Sequence, residues 1–248
     1  MIKKLSSLLA LLAVIAILAL ALAGPLYQAQ TLGLREAFTV LRYAAIGGGI
    51  IAIIGLLILL YSVTLGRQAN LGKGAPVLAI VLGAITFILP YQQYATATSP
   101  NIPRIHDIST DTENPPEFVA VAPLRADAPN PVEYAGAETA ALQLQHYPDI
   151  TTYETSASVT EIVAAAEQVA TAMGWEIVAS VPAAGRFEAT DTTFWFGFKD
   201  DVVLRAITED GMTRVDVRSK SRVGMSDVGV NAQRIRAFIV SLDEALKS

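Results

Sequence analysis

No cysteine occurs in the 248 residues, and histidine occurs only as His106 and His146. The lack of cysteine excludes disulfides, thiol nucleophiles, Cys-ligated zinc and iron–sulfur centres, and leaves the redox compartment open. Aromatic residues make up 7% of the chain and charged residues 17%, whereas 52% is hydrophobic. Charge is missing where apolar residues are densest: no Asp, Glu, Lys, Arg or His interrupts residues 5–23, 44–65 or 76–94. A bilayer crossing takes about 20 apolar residues, so three transmembrane helices are expected. Transporters and proton pumps place ionisable groups inside the bundle; their lack here points to anchoring rather than transport. Gly47, Gly48, Gly49 and Gly55 in the second run, with Gly83 in the third, would let helices approach closely.

What charge there is falls unevenly. Residues 1–94 hold six basic residues against the single acid Glu36, while residues 95–248 hold 12 basic and 22 acidic ones. A basic apolar part joined to an acidic polar part reads as a membrane anchor plus a water-exposed domain. The first run has a second reading, because Lys3 and Lys4, an apolar stretch and Ala21-Leu22-Ala23 before Pro25 also fit a cleaved signal peptide. Both readings give one topology. Lys3 and Lys4 hold the N-terminus inside, and Arg67 and Lys73 hold the second loop inside; Arg35 and Arg42 weaken this bias without reversing it. The expected protein is multi-pass in a cell inner membrane, with everything after the third span periplasmic.

Residues 95–103, ATATSPNIP, read as a linker, and 104–248 as the extracytoplasmic domain. Ile105–Phe118 is polar and broken by Pro115 and Pro116, so it is not helical; 123–148 reads as an irregular wrap. Thr151–Thr155 is β-rich. Ser158 and Glu161 make a capping box that opens a helix through Met173, closed by Gly174. Strands are expected near 175–181, 186–190, 193–199, 201–208 and 212–219, with turns at Pro182–Gly185 and Glu209–Gly211. The last helix runs from about Gly229 to Leu246, with Ile235, Phe238, Ile239, Leu242 and Leu246 on one face. This order predicts an α+β domain, a curved antiparallel sheet with helices packed on one side.

The densest polar stretch, RSKSRVGMSDVGVNAQRIR (218–236), lies between the last strand and the last helix. Arg218, Arg222 and Arg234 are expected to converge at the start of that helix, among Ser219, Ser221, Ser226, Asp227 and Asn231. Backbone donors and guanidinium forks there would suit an anionic small molecule, a lipid headgroup or an envelope protein. The competing reading is internal bracing, with Asp227 paired to Arg222 or Arg234, the serines closing turns and Asn231 fixing the loop. Ser226 or Asp227 is the expected N-cap. Secondary candidates are His106, Asp107 and Asp111, which with Glu113 sketch an acid–base or hard-metal site; their spacing fits no metal motif, and neither metal nor cofactor is expected. An envelope hydrolase using His106 with nearby Asp or Ser is the alternative function, although G-x-S-x-G is missing. A hydrogen bond between His106 and Ser221 or Ser226 would favour it. Nucleic acid is not an expected partner, since no Gly-rich phosphate loop is present and the polar part is acidic. Phe194, Trp195, Phe196 and Phe198 crowd one expected strand; core packing accounts for three, and Trp195 is assigned to a pocket or the bilayer interface.

WFGFKDDVVLR (195–205) followed by RSKSRVGMSDVGVNAQRIRAF (218–238) resembles a widespread bacterial and plastid family known only as a domain of unknown function, of the DUF1499 type. IHDISTDTENPPEF (105–118) and HYPD (146–149) match its other recurring blocks, so the resemblance covers nearly all of 100–248. It implies N-terminal membrane spans, which many members carry, and no established activity.

Overall fold

The computed structural model describes residues 2–64 and 72–247; Arg67 and the end of the second expected span, residue 65, lie outside them. Three helices, α1 (Ile2–Gln28), α2 (Leu34–Thr64) and α3 (Gly74–Ala97), are each long and apolar enough to cross a membrane. Each runs beyond the apolar stretch read from the sequence, and α3 takes in the first residues of the expected linker. Hydropathy alone marks only the apolar middle of a helix, and the extensions run even through Gly24 and Pro25 of α1. Leu9 and Ala13 of α1 meet Ile51 of α2 and Ala79 of α3, and α2 runs antiparallel to α3, with Gly55 facing Ala79 and Gly48 facing Gly83. At the α2–α3 contact a Cβ on Gly83 would lie 2.5 Å from the Gly48 carbonyl oxygen. Backbones can come that close only without side chains. The buried hydroxyls of Ser6 and Thr86 return to carbonyls one turn back, at 2.9 and 2.7 Å, which spares them an unpaired polar group.

Contacts divide the chain into two units, Met1–Thr98 with Trp195–Gly197, and Ser99–Phe194 with Phe198–Ser248. The second unit is built on an antiparallel six-stranded sheet: β1 (Asp107–Ser109), β2 (Tyr153–Thr155), β3 (Glu176–Val181), β4 (Arg186–Thr192), β5 (Lys199–Glu209) and β6 (Met212–Ser221). The order is β1-β6-β5-β4-β3, and β2 shares the outer edge of β6 with β1. Around it lie α4 (Ala137–His146), α5 (Val159–Ala172) and α6 (Val230–Lys247). This is the α+β architecture expected.

One face of the sheet carries the apolar core. Phe187, Val202, Leu204, Val215 and Val217 meet Ile162, Ala166 and Val169 of α5 and Ile235, Phe238 and Leu242 of α6. The capping box at Ser158 is formed, with Glu161 N–H donating to the Ser158 hydroxyl and Ser158 N–H donating to the Glu161 carboxylate. The opposite face is covered by chain rather than helix. Phe118 and Val121, just before the wrap, and Val132 within it pack on Val203 and Val178.

Two expectations are corrected. Residues 193–198 form a turn, closed by Thr193 N–H donating to the Phe198 carbonyl at 2.9 Å and by Phe198 N–H donating to the Thr193 hydroxyl at 2.8 Å. The aromatics raise β propensity, but Gly197 at φ +66° supplies a left-handed step that turns the chain back. The wrap contains α4 and a short 3-10 turn at Ala122–Arg125. Of α4, Gln143 alone is buried, so the helix has no apolar stripe to betray it. The polar stretch at Ile105–Phe118 holds no helix, as expected, and contributes the edge strand β1, which the sequence reading did not mark.

Candidate functional site

The junction of β6 and α6 is divided by the sheet itself. Side chains alternate along a strand, so Ser219 and Ser221 join Val217 on the helix face, while Arg218 and Lys220 point to the wrap. Arg222, one step beyond the strand, continues toward the wrap. The neighbouring strand repeats the device. Asp200 and Asp201 are adjacent in β5 and turn to opposite faces, Asp200 to Arg234 and Asp201 to Arg222 and Arg125.

On the helix face, Arg234 of α6 places one terminal nitrogen 2.7 Å from both Asp191 and Asp200. Its other terminal nitrogen donates to the hydroxyl of Ser219 and the amide oxygen of Asn231. Asn231 is fully buried and ties three segments together: its amide oxygen accepts from Ser219, and its nitrogen donates to the Ser221 hydroxyl at 2.9 Å and the His106 carbonyl at 3.1 Å. Asp227 closes the helix start, accepting from the N–H of Gly229 at 2.8 Å and of Asn231 at 2.9 Å. It therefore meets the positive end of the helix dipole itself. Burial nevertheless raises its carboxyl above the ordinary range, against the pull of those donors. Ser226 caps the preceding turn, accepting from Val228 N–H at 3.2 Å.

On the wrap face, Arg218 grips Asp107 with two bonds of 2.8 and 2.9 Å and donates also to the carbonyls of Pro116 and Val132. Lys220 lies 2.9 Å from the same carboxylate and donates to the Glu133 carbonyl. Burial pushes the Lys220 ammonium below its usual value, with Asp107 pulling the other way. Tyr134 stands beside this group, and its phenol is pushed up to about 12 by burial and then by the charge of Asp107. Arg222 forks onto Asp201 with two bonds of 2.8 Å and donates to the Leu124 carbonyl. Asp201 also takes Arg125 at 3.1 Å and the Thr190 hydroxyl at 2.7 Å. Fully buried Glu188 holds the chain leading into the wrap by its backbone, accepting from the N–H groups of Val119, Ala120 and Val121.

The eight junction residues thus fall into two sets. Ser219, Ser221, Asp227, Asn231 and Arg234 are brought together around the start of α6, with Ser226 beside them. Arg218 and Arg222 lie across the sheet and are tied to other carboxylates. The expected pairing of Asp227 with Arg222 or Arg234 is not formed: Arg222 goes to Asp201 and Arg234 to Asp191 and Asp200, while Asp227 accepts from the backbone N–H groups of Gly229 and Asn231. Asp191, Asp200, Asp201 and Arg125 are central partners that motif reading passed over. The adjacent acids Asp200 and Asp201 in a run otherwise patterned as a strand were the sign of them.

His106 presents its ring to the Met225 backbone, while its carbonyl accepts from Ser221 N–H at 3.0 Å. Burial, then Lys220, depress the imidazole below its ordinary value. The hydroxyls of Ser219 and Ser221 are engaged by Asn231, and the structure does not bring the His106 ring to a serine. Asp107 serves Arg218 and Lys220, and Asp111 caps its own turn through Glu113 and Asn114 N–H while pairing with Arg205. Among the described residues, no three His, Asp or Glu side chains are grouped to hold a metal ion.

Residues 107–242 match the family described as protein of unknown function (DUF1499). The chain belongs to this family. No curated protein matches it. The DUF1499 region begins at Asp107, the carboxylate that pairs with Arg218 and Lys220, and ends at Leu242, the fully buried residue near the end of α6. It therefore takes in the whole sheet, the wrap and both sets of junction residues, while the three apolar helices precede it.

Proposed function

We propose that the chain is a membrane-anchored binding or scaffolding protein whose DUF1499 domain faces the extracytoplasmic side and engages a protein partner through the loop 223–230. One observation carries the reading. The basic groups of the junction are matched by the domain's own carboxylates, and the loop they brace offers apolar surface instead. Met225 on that loop is 79% exposed, and Val230 is exposed beside it. Val228 holds φ +57°, a conformation that costs a β-branched residue energy and persists only where its surroundings enforce it; such strain clusters at ligand clamps. A flexible methionine on a rigid frame suits a partner's apolar side chains. The outward orientation is supported by Lys3, Lys4 and Lys73 on the opposite side of the spans.

A photo-crosslinking residue at Met225, compared with one at exposed Leu144 on α4, tests this in membranes of producing cells. A discrete adduct at 225 and none at 144 is expected. No adduct at 225, together with thermal stabilisation of the domain by phosphate or phospholipid headgroups that Arg222→Ala abolishes, would replace the protein partner with an anion.

A further inference from the structure

Residues 95–248 hold 12 basic side chains against 22 acidic ones. Among the described residues, eleven of those twelve pair with one of the domain's own carboxylates. The exception is Arg104, which is exposed. In a domain with acid to spare, one guanidinium stands without a carboxylate.

Its neighbours place it. Pro103 and Ile105, on either side, are buried, which leaves Arg104 facing water between them. The same two residues hold the loop 223–230. The Pro103 carbonyl accepts from the Ser226 hydroxyl at 3.4 Å, and the Ile105 carbonyl accepts from Asp227 N–H at 3.1 Å. The next residue, His106, directs its ring to the Met225 backbone. Arg104 therefore rises from the chain clamped along the loop, whose tip carries Met225, 79% exposed, and then exposed Val230.

A hydrated guanidinium on a surface is stable by itself, so its surroundings decide what suits it. A free phosphate or a lipid headgroup is held by several convergent donors. Here the other donors are spent: the N–H groups of Gly229 and Asn231 on Asp227, and that of Val228 on the Ser226 hydroxyl. Arg222, just before the loop, is forked onto Asp201. An anionic bilayer attracts clusters of Lys and Arg, whereas this domain carries an excess of acid. What is left is one planar fork beside apolar surface. The fork matches a carboxylate with two parallel bonds, and an exposed methionine adapts to apolar side chains of varied shape.

We infer that the partner of the loop 223–230 is a polypeptide segment carrying Asp or Glu next to a large apolar residue. Its carboxylate goes to Arg104 and its apolar group to Met225 and Val230. This rests on the loop being the contact surface, so the test separates the two.

The full-length chain in phospholipid nanodiscs is used to select from a random peptide library displayed on phage, with Met225→Asp as the counter-selection. Peptides that bind wild type and not Met225→Asp should carry an acidic residue beside an aliphatic or aromatic one. Selection on Arg104→Glu should return Lys or Arg at that place. A synthetic peptide from the first set should lose at least about tenfold in affinity on Arg104→Glu, and regain it when its own acid is replaced by lysine. Arg104 has no partner within the domain to lose, so the variant should keep the wild-type melting temperature, which distinguishes lost recognition from lost folding. Peptides that depend on Met225 but bind wild type and Arg104→Glu equally would overturn the role of Arg104 and leave the loop standing. A library with no Met225-dependent peptide would overturn both. Displacement of the selected peptide by inorganic phosphate alone would assign Arg104 to a free anion and overturn the peptide.

Discussion

Asp201 is a single carboxylate on which Arg125, Arg222 and the Thr190 hydroxyl all converge, with both Asp201 and Arg125 fully withdrawn from water. Removing one member of a buried pair leaves the other charge unpaired in a poor solvent. Asp201→Ala should therefore destabilise the domain by about 3–5 kcal/mol in urea unfolding, whereas Asp149→Ala, which breaks the exposed pair with Arg236, should cost less than about 1 kcal/mol. Similar losses at both sites would show that the wrap-face pair is hydrated. His106 gives a pH test. Its folded-state value is lowered by burial and Lys220, so the unfolded chain binds that proton more readily. The stability neutral His106 provides is full above about pH 6.5, its unfolded value, and is lost as pH falls through the lowered one. Asp227 has the opposite sign: its raised value gives stability that is present at low pH and lost as pH rises through it. Between about pH 7.5 and 5, wild type should lose more stability than His106→Gln, in which only the Asp227 trend and the other carboxylates remain. Parallel pH profiles would remove the histidine from the account.

At the scale of elements, α5 and α6 depend on different things. The start of α5 is fixed locally by Ser158 and Glu161, three residues apart. Ser158→Ala should cost about 1 kcal/mol and leave the rest of the domain in place. The hold of α6 on the sheet is tertiary, through Phe238, fully buried and stacked on Trp175 at 5.2 Å. Phe238→Ala should cost about 3–5 kcal/mol in thermal or urea unfolding, and a loss below about 1 kcal/mol would mean that the helix does not dock as described. The same contrast explains which elements were legible. Both helices announce themselves by an apolar stripe or a cap. Helix α4 has neither, and β1 is three residues long with a polar sequence whose burial comes from Gln143, Arg218 and the wrap.

For the whole molecule, each unit has its own contact set, and the second has its own apolar core. Residues 99–248 made without the helices should unfold cooperatively with a single transition; a fragment with no transition would make the helices part of the fold. The orientation we propose has a direct assay. Alkaline phosphatase fused after the last residue should be active in a bacterial host, and a fluorescent cytoplasmic reporter at the same point should be dark. The reverse pattern would put the DUF1499 domain inside.

The amino-acid order alone determined what short-range periodicity can carry. Uncharged runs marked three helices long enough to cross a membrane, alternation and turn residues gave most of the sheet, and the 3.6-residue stripe with its cap gave α5 and α6. Tertiary structure decided the partners of the charged side chains. Arg218 meets Asp107 across 111 residues, and Arg234 meets Asp191 across 43, separations at which no local pattern specifies a contact. It also decided that a cluster dense in sequence is divided in space. Successive residues of a strand face opposite ways, so Arg218 and Ser219 are neighbours in the chain and lie on two sides of one sheet.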